Sequence, residues 1–187
     1  NSDDTEDSTN ATDKNGLEID FLGTQGSNEM YGKAGNDRIL SDQGDDKLFG
    51  EDGDDLLNGG SQNDILRGGD GNDTLYGGQH SDQMYGGAGE DLFRLSNGPD
   101  TIHDFDKNKD LIEWFLDDED GWRKEDINIE AVDDGVKISG AKNVNTTVKG
   151  VSLDDFTDPY PPIADQNGNL IFEPINTIYG DQGNNKQ

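Results

Sequence analysis

The sequence contains no cysteine and is poor in apolar residues. The absence of Cys from its 187 residues excludes disulfide frameworks, thiolate metal sites and cysteine nucleophiles. Hydrophobic residues make up 28% of the chain. No run approaches the roughly 18 to 20 apolar residues of a membrane-spanning helix. We therefore expect neither a membrane span nor a conventional single core.

Cationic residues are also scarce. The chain has 14 Lys plus Arg against 42 Asp plus Glu, so its formal net charge is 14 − 42 = −28. This sign argues against nucleic-acid and anionic-membrane partners, because both attract proteins that bring positive charge to phosphates. Residues 1–15 are acidic and polar, which gives no support to a Sec-type signal peptide there.

Glycine is abundant but concentrated in one part of the chain. Of the 26 glycines, 18 lie between residues 23 and 103. Starting at Gly23, nine units of nine residues follow one another without an insertion. The sixth position is Asp in eight units and Asn in one, the eighth is apolar in all nine, and the first and fourth are each Gly in seven. A strict period of this length predicts a repeat architecture.

The composition of each unit suggests how it folds. Glycines at the first, second and fourth positions allow left-handed dihedral angles, which bring backbone carbonyls toward one point. The apolar eighth residue is flanked by polar residues and can enter a core as part of a very short strand. Because one such residue cannot stabilise a layer alone, two units are expected to form one turn of a stacked solenoid. The predicted fold is all-β, a parallel β-roll with a C-terminal β-rich cap.

Stacked loops place carboxylates beside carboxylates, so a cation is expected between them. Carboxylate and carbonyl oxygens suit hard cations, and a flexible cage of many oxygens favours Ca²⁺ over Mg²⁺. The side chains predicted to bind calcium are Asn28, Asp37, Asp46, Asp55, Asp64, Asp73, Asp82, Asp91 and Asp100. The predicted glycine partners are Gly32, Gly35, Gly50, Gly53, Gly68, Gly71, Gly86 and Gly89.

Loops two units apart stack, which divides these residues between two edges of the roll. The edge that we call the regular edge contains the loops ending in Asp37, Asp55, Asp73 and Asp91. It has three inter-loop sites and is predicted to bind calcium more strongly. The irregular edge has up to four sites and holds every departure from the pattern: Asn28, Ser41, Gln62, His80 and Leu95. Seven ions at most would bring a charge of +14, half of the formal −28.

Two units in particular resemble a known family. The segments Gly68–Tyr76 (GGDGNDTLY) and Gly86–Arg94 (GGAGEDLFR) are similar to the nonapeptides of repeats-in-toxin (RTX) proteins. The resemblance implies a parallel β-roll with Ca²⁺ between loops two units apart. It also implies a bacterial protein that is exported by type I secretion and is secreted or on the cell surface. It does not identify the biological role.

The flanking residues suggest four regions. Residues 1–22 are predicted to be an acidic linker with a lead-in strand, 23–103 the β-roll, 104–158 the cap, and 159–187 a linker that runs into a further repeat start. Strands are expected at 111–116, 127–132, 136–139 and 146–151, with a short helical turn after Ser152. The flank after the repeats is similar to that of bacterial RTX modules, including those of secreted alginate epimerases. The spacing within 176–185 is that of half a repeat, so we expect the chain to be part of a larger protein.

An EF-hand is the main alternative metal site. Asp104, Asp106, Asn108 and Asp110 have its alternate spacing, but Lys109 replaces the Gly of the turn and Phe115 replaces the bidentate Glu. The favoured interpretation is an acidic turn that enters the cap, with an additional calcium ion on some of these carboxylates left open.

Histidines and aromatic residues offer weaker alternatives. His80 and His103 are separated by 23 positions and form no zinc motif, so both are interpreted as surface residues. Trp114, Trp122 and Tyr160 are favoured as core residues of the cap rather than as a sugar-binding platform.

Catalysis within these residues is not expected, because no carboxylate pair, paired histidine or nucleophile elbow stands out. We hypothesise a calcium-binding module that folds outside the cell as part of a larger secreted structural or adhesive surface protein. One alternative is a carbohydrate-binding module of an enzyme that modifies extracellular polysaccharide. Another is the C-terminal secretion or folding module of a secreted hydrolase or toxin. Other domains of the parent protein are possible partners in each case.

Overall fold

The computed structural model describes residues 20–114, 128–140, 143–156, 163–164 and 170–172. The strands of the repeat region are β1 (Asp20–Leu22), β2 (Glu29–Ala34), β3 (Arg38–Leu40), β4 (Lys47–Asp52), β5 (Leu56–Asn58), β6 (Ile65–Asp70), β7 (Thr74–Tyr76), β8 (Gln83–Ala88), β9 (Leu92–Arg94) and β10 (Thr101–Ile102). The strands that follow are β11 (Leu111–Trp114), β12 (Asn128–Val132), β13 (Gly135–Ser139), β14 (Asn145–Lys149), β15 (Ile163–Ala164) and β16 (Leu170–Phe172).

Successive strands of the repeat region alternate between two sheets. The odd-numbered strands β1 to β9 pair in parallel in one sheet, and the even-numbered strands β2 to β10 pair in parallel in the other. The register advances by one turn of two nonapeptides, as in Ile39 beside Leu57 and Leu57 beside Leu75. Each turn therefore gives one short strand to each sheet, which confirms the predicted β-roll.

The core is a double column of eighth-position side chains. Burial alternates along each strand, so that the central residue points inward and its neighbours do not. The stacked side chains are Met30, Ile39, Leu48, Leu57, Leu66, Leu75, Met84, Phe93 and Ile102, and all are buried. One apolar side chain per strand makes a narrow core, so each turn depends on its neighbours for burial.

The cap continues both sheets. β11 pairs in parallel with β9 and antiparallel with β16, while β14 pairs in parallel with β10 and antiparallel with β13. The predicted hairpin is confirmed as β12 and β13, and its residues Val136 and Ile138 join the buried core of the roll. A 3₁₀ helix, Leu153–Asp155, follows Ser152, whose N–H donates a 2.8 Å hydrogen bond to Oδ2 of Asp155.

Several predicted features lie outside the described residues. These are the start of the lead-in strand, the half repeat within 176–185, Trp122 and Tyr160. β15 and β16 fall within the segment for which the sequence predicts a linker, and the domain boundaries remain predictions. In the described part of the chain, no helix has the length and apolarity needed to cross a membrane.

Candidate metal centre

The sixth-position aspartates link each turn of the roll to the turn before it. Oδ1 of Asp73 accepts a 2.8 Å hydrogen bond from the N–H of Asp55, and Oδ1 of Asp91 accepts a 2.9 Å hydrogen bond from the N–H of Asp73. The irregular edge repeats this arrangement, with Oδ1 of Asp82 accepting a 2.9 Å hydrogen bond from the N–H of Asp64. All these side chains are buried. One oxygen of each carboxylate is therefore used by the backbone, except at Asp37, whose two oxygens both lack a partner within the described residues.

The second oxygen of most of these carboxylates is buried without a partner. Among the described residues, no hydrogen bond reaches Oδ2 of Asp37, Asp46, Asp55, Asp64, Asp73, Asp82 or Asp91. A buried polar atom left unpaired opposes folding by about 1–3 kcal/mol, and a charged one by more. The folded state is therefore stabilised when these oxygens are protonated or contact a cation.

Burial also raises the pKa values of these aspartates. Burial raises the pKa of Asp64 to about 8, and the charges of Asp82 and Asp46 add to this effect. Burial likewise raises the pKa of Asp73 and of Asp82 to about 7, and that of Asp55 to about 6. A neutral, protonated carboxyl is therefore favoured at Asp64 near physiological pH unless positive charge comes close.

The first-position glycines hold open the space in which ligand oxygens converge. A Cβ placed on Gly32 would lie 2.7 Å from Oδ2 of Asp37 and 2.7 Å from the carbonyl oxygen of Gly50 in the next turn. A Cβ on Gly59 would lie 2.5 Å from Oδ2 of Asp64 and 2.6 Å from the carbonyl oxygen of Gly77. Carboxylate and carbonyl oxygens from successive turns thus meet at one point, and this mixed oxygen set fits Ca²⁺.

These first-position glycines correct one detail of the sequence interpretation. None of Gly32, Gly50, Gly68 or Gly86 has a positive φ, so their role is to leave space and not to allow a left-handed backbone. The expected left-handed angles occur at the second and fourth positions instead, as in Gly69 with φ +129°. Gly53 has φ +136°, and a Cβ there would collide with the carbonyl of Gly35. Gly35, Gly71 and Gly89 also have positive φ.

Side chains alone do not form the site. In the ranges that the structure describes, no three His, Asp or Glu side chains converge closely enough to hold a metal. Each loop supplies one sixth-position side chain, a carboxylate in eight units and the amide of Asn28 in the remaining unit, so backbone carbonyls have to complete any calcium shell. This agrees with the carbonyl oxygens found beside Oδ2 of Asp37 and Asp64.

The two edges differ in how many carboxylate oxygens are free to bind an ion. On the regular edge, all four sixth-position aspartates have an Oδ2 that is unpartnered within the described residues, whereas only three of the five sixth-position residues of the irregular edge do. On the irregular edge, Oδ1 of Asn28 accepts a 2.7 Å hydrogen bond from the N–H of Thr24, and Oδ2 of Asp100 accepts a 2.9 Å hydrogen bond from the hydroxyl of Ser96. The hydroxyl of Ser41 donates to the carbonyl oxygen of Gly59, one turn later. These contacts support the prediction that the irregular edge binds calcium less strongly.

The sequence interpretation missed Asp110 as a member of the regular edge. Its Oδ1 accepts a 3.1 Å hydrogen bond from the N–H of Asp91, 19 residues earlier. Ile112, two residues later, pairs with Phe93 and enters the core as an eighth-position residue does. The signal was the order Asp, Leu, Ile at 110–112, which a one-residue insertion moved out of the nonapeptide register.

A second ladder, formed by fifth-position side chains, was also missed. Oδ1 of Asn36 accepts a 2.9 Å hydrogen bond from the N–H of Asp54, and Oδ1 of Asp54 accepts a 2.8 Å hydrogen bond from the N–H of Asn72. This ladder is exposed. Its side chains accept hydrogen bonds from the turn that follows them, whereas the sixth-position side chains accept hydrogen bonds from the turn before them. Its signal was the near absence of apolar residues at the fifth position: Ser27, Asn36, Asp45, Asp54, Asn63, Asn72, Ser81, Glu90 and Pro99.

The histidines lie on different surfaces of the roll. His80 is exposed, and its Nδ1 accepts a 3.3 Å hydrogen bond from the N–H of Gln62. His103 is half-buried and stacks on Tyr85 with ring centroids 4.4 Å apart, and burial lowers its pKa. The surface interpretation thus describes His80 well and His103 only in part.

Comparison with known proteins gives a match in the repeat region. No curated protein and no solved structure matches the chain. A family model described as RTX calcium-binding nonapeptide repeat, with four copies, matches residues 22–57, 58–93 and 85–104. These ranges contain the strands and loops that carry the stacked aspartates. Residues 22–104 are therefore RTX calcium-binding nonapeptide repeats.

Proposed function

We propose that the chain is a calcium-binding module whose repeats fold when calcium binds between successive turns. The observation that carries this proposal is that, among the described residues, seven aspartates on the two edges have Oδ2 atoms that are buried without a partner. Each of these atoms opposes folding until positive charge reaches it. Since calcium would bind the folded turns and not the extended chain, metal binding and folding become one equilibrium.

Each site combines groups from two successive turns. On the regular edge, the pairs are Oδ2 of an aspartate and the carbonyl oxygen of the first-position glycine one turn later: Asp37 with Gly50, Asp55 with Gly68, and Asp73 with Gly86. On the irregular edge, Asp64 forms the same pair with Gly77. The bound ion would supply the positive charge that lets these carboxylates ionise when buried. The glycines keep the ligand oxygens accessible, and the Oδ1 hydrogen bonds fix the carboxylates of Asp55, Asp64 and Asp73.

Net charge explains why the calcium-free state would be unfolded. A formal charge of −28 on 187 residues repels itself, and the core has only one apolar side chain per strand to oppose this repulsion. Extracellular calcium modules typically bind at roughly 10⁻⁴ to 10⁻³ M, so such a module stays unfolded at cytosolic calcium levels. We further propose that it belongs to a larger secreted structural or adhesive surface protein exported by type I secretion. Sequencing the complete reading frame and fractionating cells that express it would test this assignment.

The stacked side chains of the even-numbered sheet do not favour the carbohydrate-binding alternative. Arg67 lies 4.2 Å above the ring of Tyr85, and His103, which directly follows β10, stacks on the same ring. Because these neighbours come from strands on opposite sides of β8, both faces of the Tyr85 ring are covered. A sugar needs an open ring face for stacking.

Far-UV circular dichroism during a CaCl₂ titration tests the proposed function, with MgCl₂ as the control. We expect a cooperative gain of β-sheet signal with calcium at sub-millimolar to millimolar concentration and little change with magnesium. A β-sheet spectrum in excess EDTA that calcium leaves unchanged would disprove calcium-coupled folding.

A further inference from the structure

The roll ends against a loop whose acidic side chains reach back to the preceding turn. This loop, residues 104–110, connects β10 to β11 and is called the terminal loop. Oδ1 of Asp104 accepts a 2.9 Å hydrogen bond from the N–H of Gly86, and its Oδ2 accepts a 3.2 Å hydrogen bond from the N–H of Gly87. Asp104 follows Gly86 by one turn, so a carboxylate stands where earlier loops of the regular edge have a first-position glycine.

Asp91 offers this loop an unused ligand oxygen. The residue is 1% exposed, its Oδ1 accepts the N–H of Asp73, and its Oδ2 has no partner within the described ranges. A Cβ on Gly86 would collide with this Oδ2, while the N–H of the same glycine donates to Asp104. Both carboxylates therefore lie against Gly86. Burial raises the pKa of Asp91, and the charge of Asp104 raises it further, as expected for neighbouring carboxylates.

The terminal loop is fixed at both ends. Oδ1 of Asp110 accepts the N–H of Asp91, and Oδ2 of Asp110 accepts a 2.7 Å hydrogen bond from the N–H of Asp106. Lys107 forms a 2.7 Å ion pair with Asp155 of the cap. These contacts hold Asp104 beside the last turn of the roll and join the loop to the cap.

We propose that Oδ2 of Asp91 and the carboxylate of Asp104 bind a further calcium ion at the junction between the roll and the cap. This inference rests on the proposed function for the nature of the ion, but the site uses a residue from outside the nonapeptides. Two carboxylates replace the carboxylate and carbonyl of an internal site, so the junction carries one more negative charge. The ion would share the oxygens of Asp104 with the N–H groups of Gly86 and Gly87. Because no three acidic side chains converge in the described residues, backbone carbonyls or water complete the shell. The ion would couple docking of the cap to the calcium state of the roll.

The first test compares calcium stoichiometry in two variants of the full chain that lose the same charge. Asp104→Asn removes one carboxylate, but its remaining Oδ1 can still accept the N–H of Gly86. Asp133→Asn is the control, because Asp133 is exposed in the turn between β12 and β13. Titration against a chromophoric chelator should show one ion fewer in D104N than in D133N, with equal far-UV spectra at saturating calcium. Equal numbers of ions and equal affinities would overturn the inference.

A second test needs no variant and therefore does not depend on how D104N folds. Anomalous diffraction from crystals of the unmodified chain, grown in CaCl₂, locates each calcium ion directly. We expect a peak between Asp91 and Asp104. Peaks between the nonapeptide loops with none at this position would overturn the junction site alone, whereas a calcium-saturated roll without any peak would overturn the proposed function as well.

Discussion

The hydroxyl of Ser96 donates a 2.9 Å hydrogen bond to Oδ2 of Asp100, whereas the same oxygen in the aspartates of the regular edge has no partner among the described residues. Asp100 is as deeply buried as Asp73, so the two differ mainly in whether the protein itself satisfies the second carboxylate oxygen. A calcium ion at Asp100 would have to compete with this hydrogen bond, but one at Asp73 would not. The two residues therefore form a matched pair for separating calcium binding from simple burial.

Replacing these two aspartates should affect calcium binding to different extents. Asp73→Asn removes the charge next to the carbonyl of Gly86, and we expect it to weaken calcium-dependent folding by about tenfold in midpoint concentration, or about 1.4 kcal/mol. Asp100→Asn should shift the midpoint less, because Ser96 already uses Oδ2. Circular dichroism titrations of both variants measure this difference. A larger shift in D100N than in D73N would contradict the predicted order of the edges.

Acidification should promote folding of the calcium-free chain. Burial raises the folded-state pKa of Asp55, Asp64, Asp73 and Asp82 to between about 6 and about 8, whereas the value in the unfolded chain is near 4. The folded state therefore binds more protons, so this stabilisation is present at low pH and is lost as the pH rises through the folded-state values. In EDTA, we expect more β-sheet signal at about pH 5.5 than at about pH 8.

Calcium should reverse this pH dependence, because it needs the ionised carboxylates and competes with protons. The midpoint calcium concentration is expected to fall as the pH rises over the same interval. Asp64→Asn, which is permanently neutral, should reduce the pH dependence in EDTA, and Asp133→Asn should not. A calcium-free chain with more β-sheet signal at the higher pH would contradict the sign of this prediction.

Glycine at position 62 should stabilise the calcium-bound roll. Gln62 has φ +84° at a fourth position, where seven of the nine units have glycine. A left-handed backbone strains a residue with a Cβ by about 1–2 kcal/mol, so Gln62→Gly should raise stability by about 0.5–1 kcal/mol after the entropic cost of glycine. Thermal unfolding at saturating calcium measures the gain. Ser61→Gly is the control, because Ser61 has no positive φ and should lose stability; equal effects of the two changes would argue against backbone strain.

Truncating one core side chain should interrupt the stack. Leu75 is fully buried between Leu57 and Phe93 in the odd-numbered sheet, and Leu75→Ala should cost about 2–5 kcal/mol at saturating calcium. Leu22→Ala is the control, since that side chain is 74% exposed in the first described strand. Chemical denaturation in calcium compares the two variants. Similar losses in both would mean that the apolar column contributes little to folding.

The nonapeptide pattern was sufficient to predict the roll, because each unit repeats the same local requirements. An apolar residue at the eighth position and Asp at the sixth predicted which side chain enters the core and which faces the loop. The hairpin of β12 and β13 and the turn after Ser152 were also predictable, since turn residues and a capping residue act within a few positions. These features depend on residues that are close to one another in the sequence.

The tertiary structure decided which oxygens remain available for calcium. Whether Oδ2 of an aspartate is free depends on residues outside its unit or on an unusual neighbour, as the contrast between Asp73 and Asp100 shows. The role of Asp110 was hidden because its loop has one additional residue, and only pairing with the preceding turn restores the register. A period in sequence therefore determined the repeat and its core, whereas contacts between turns determined the sites at which an ion can bind.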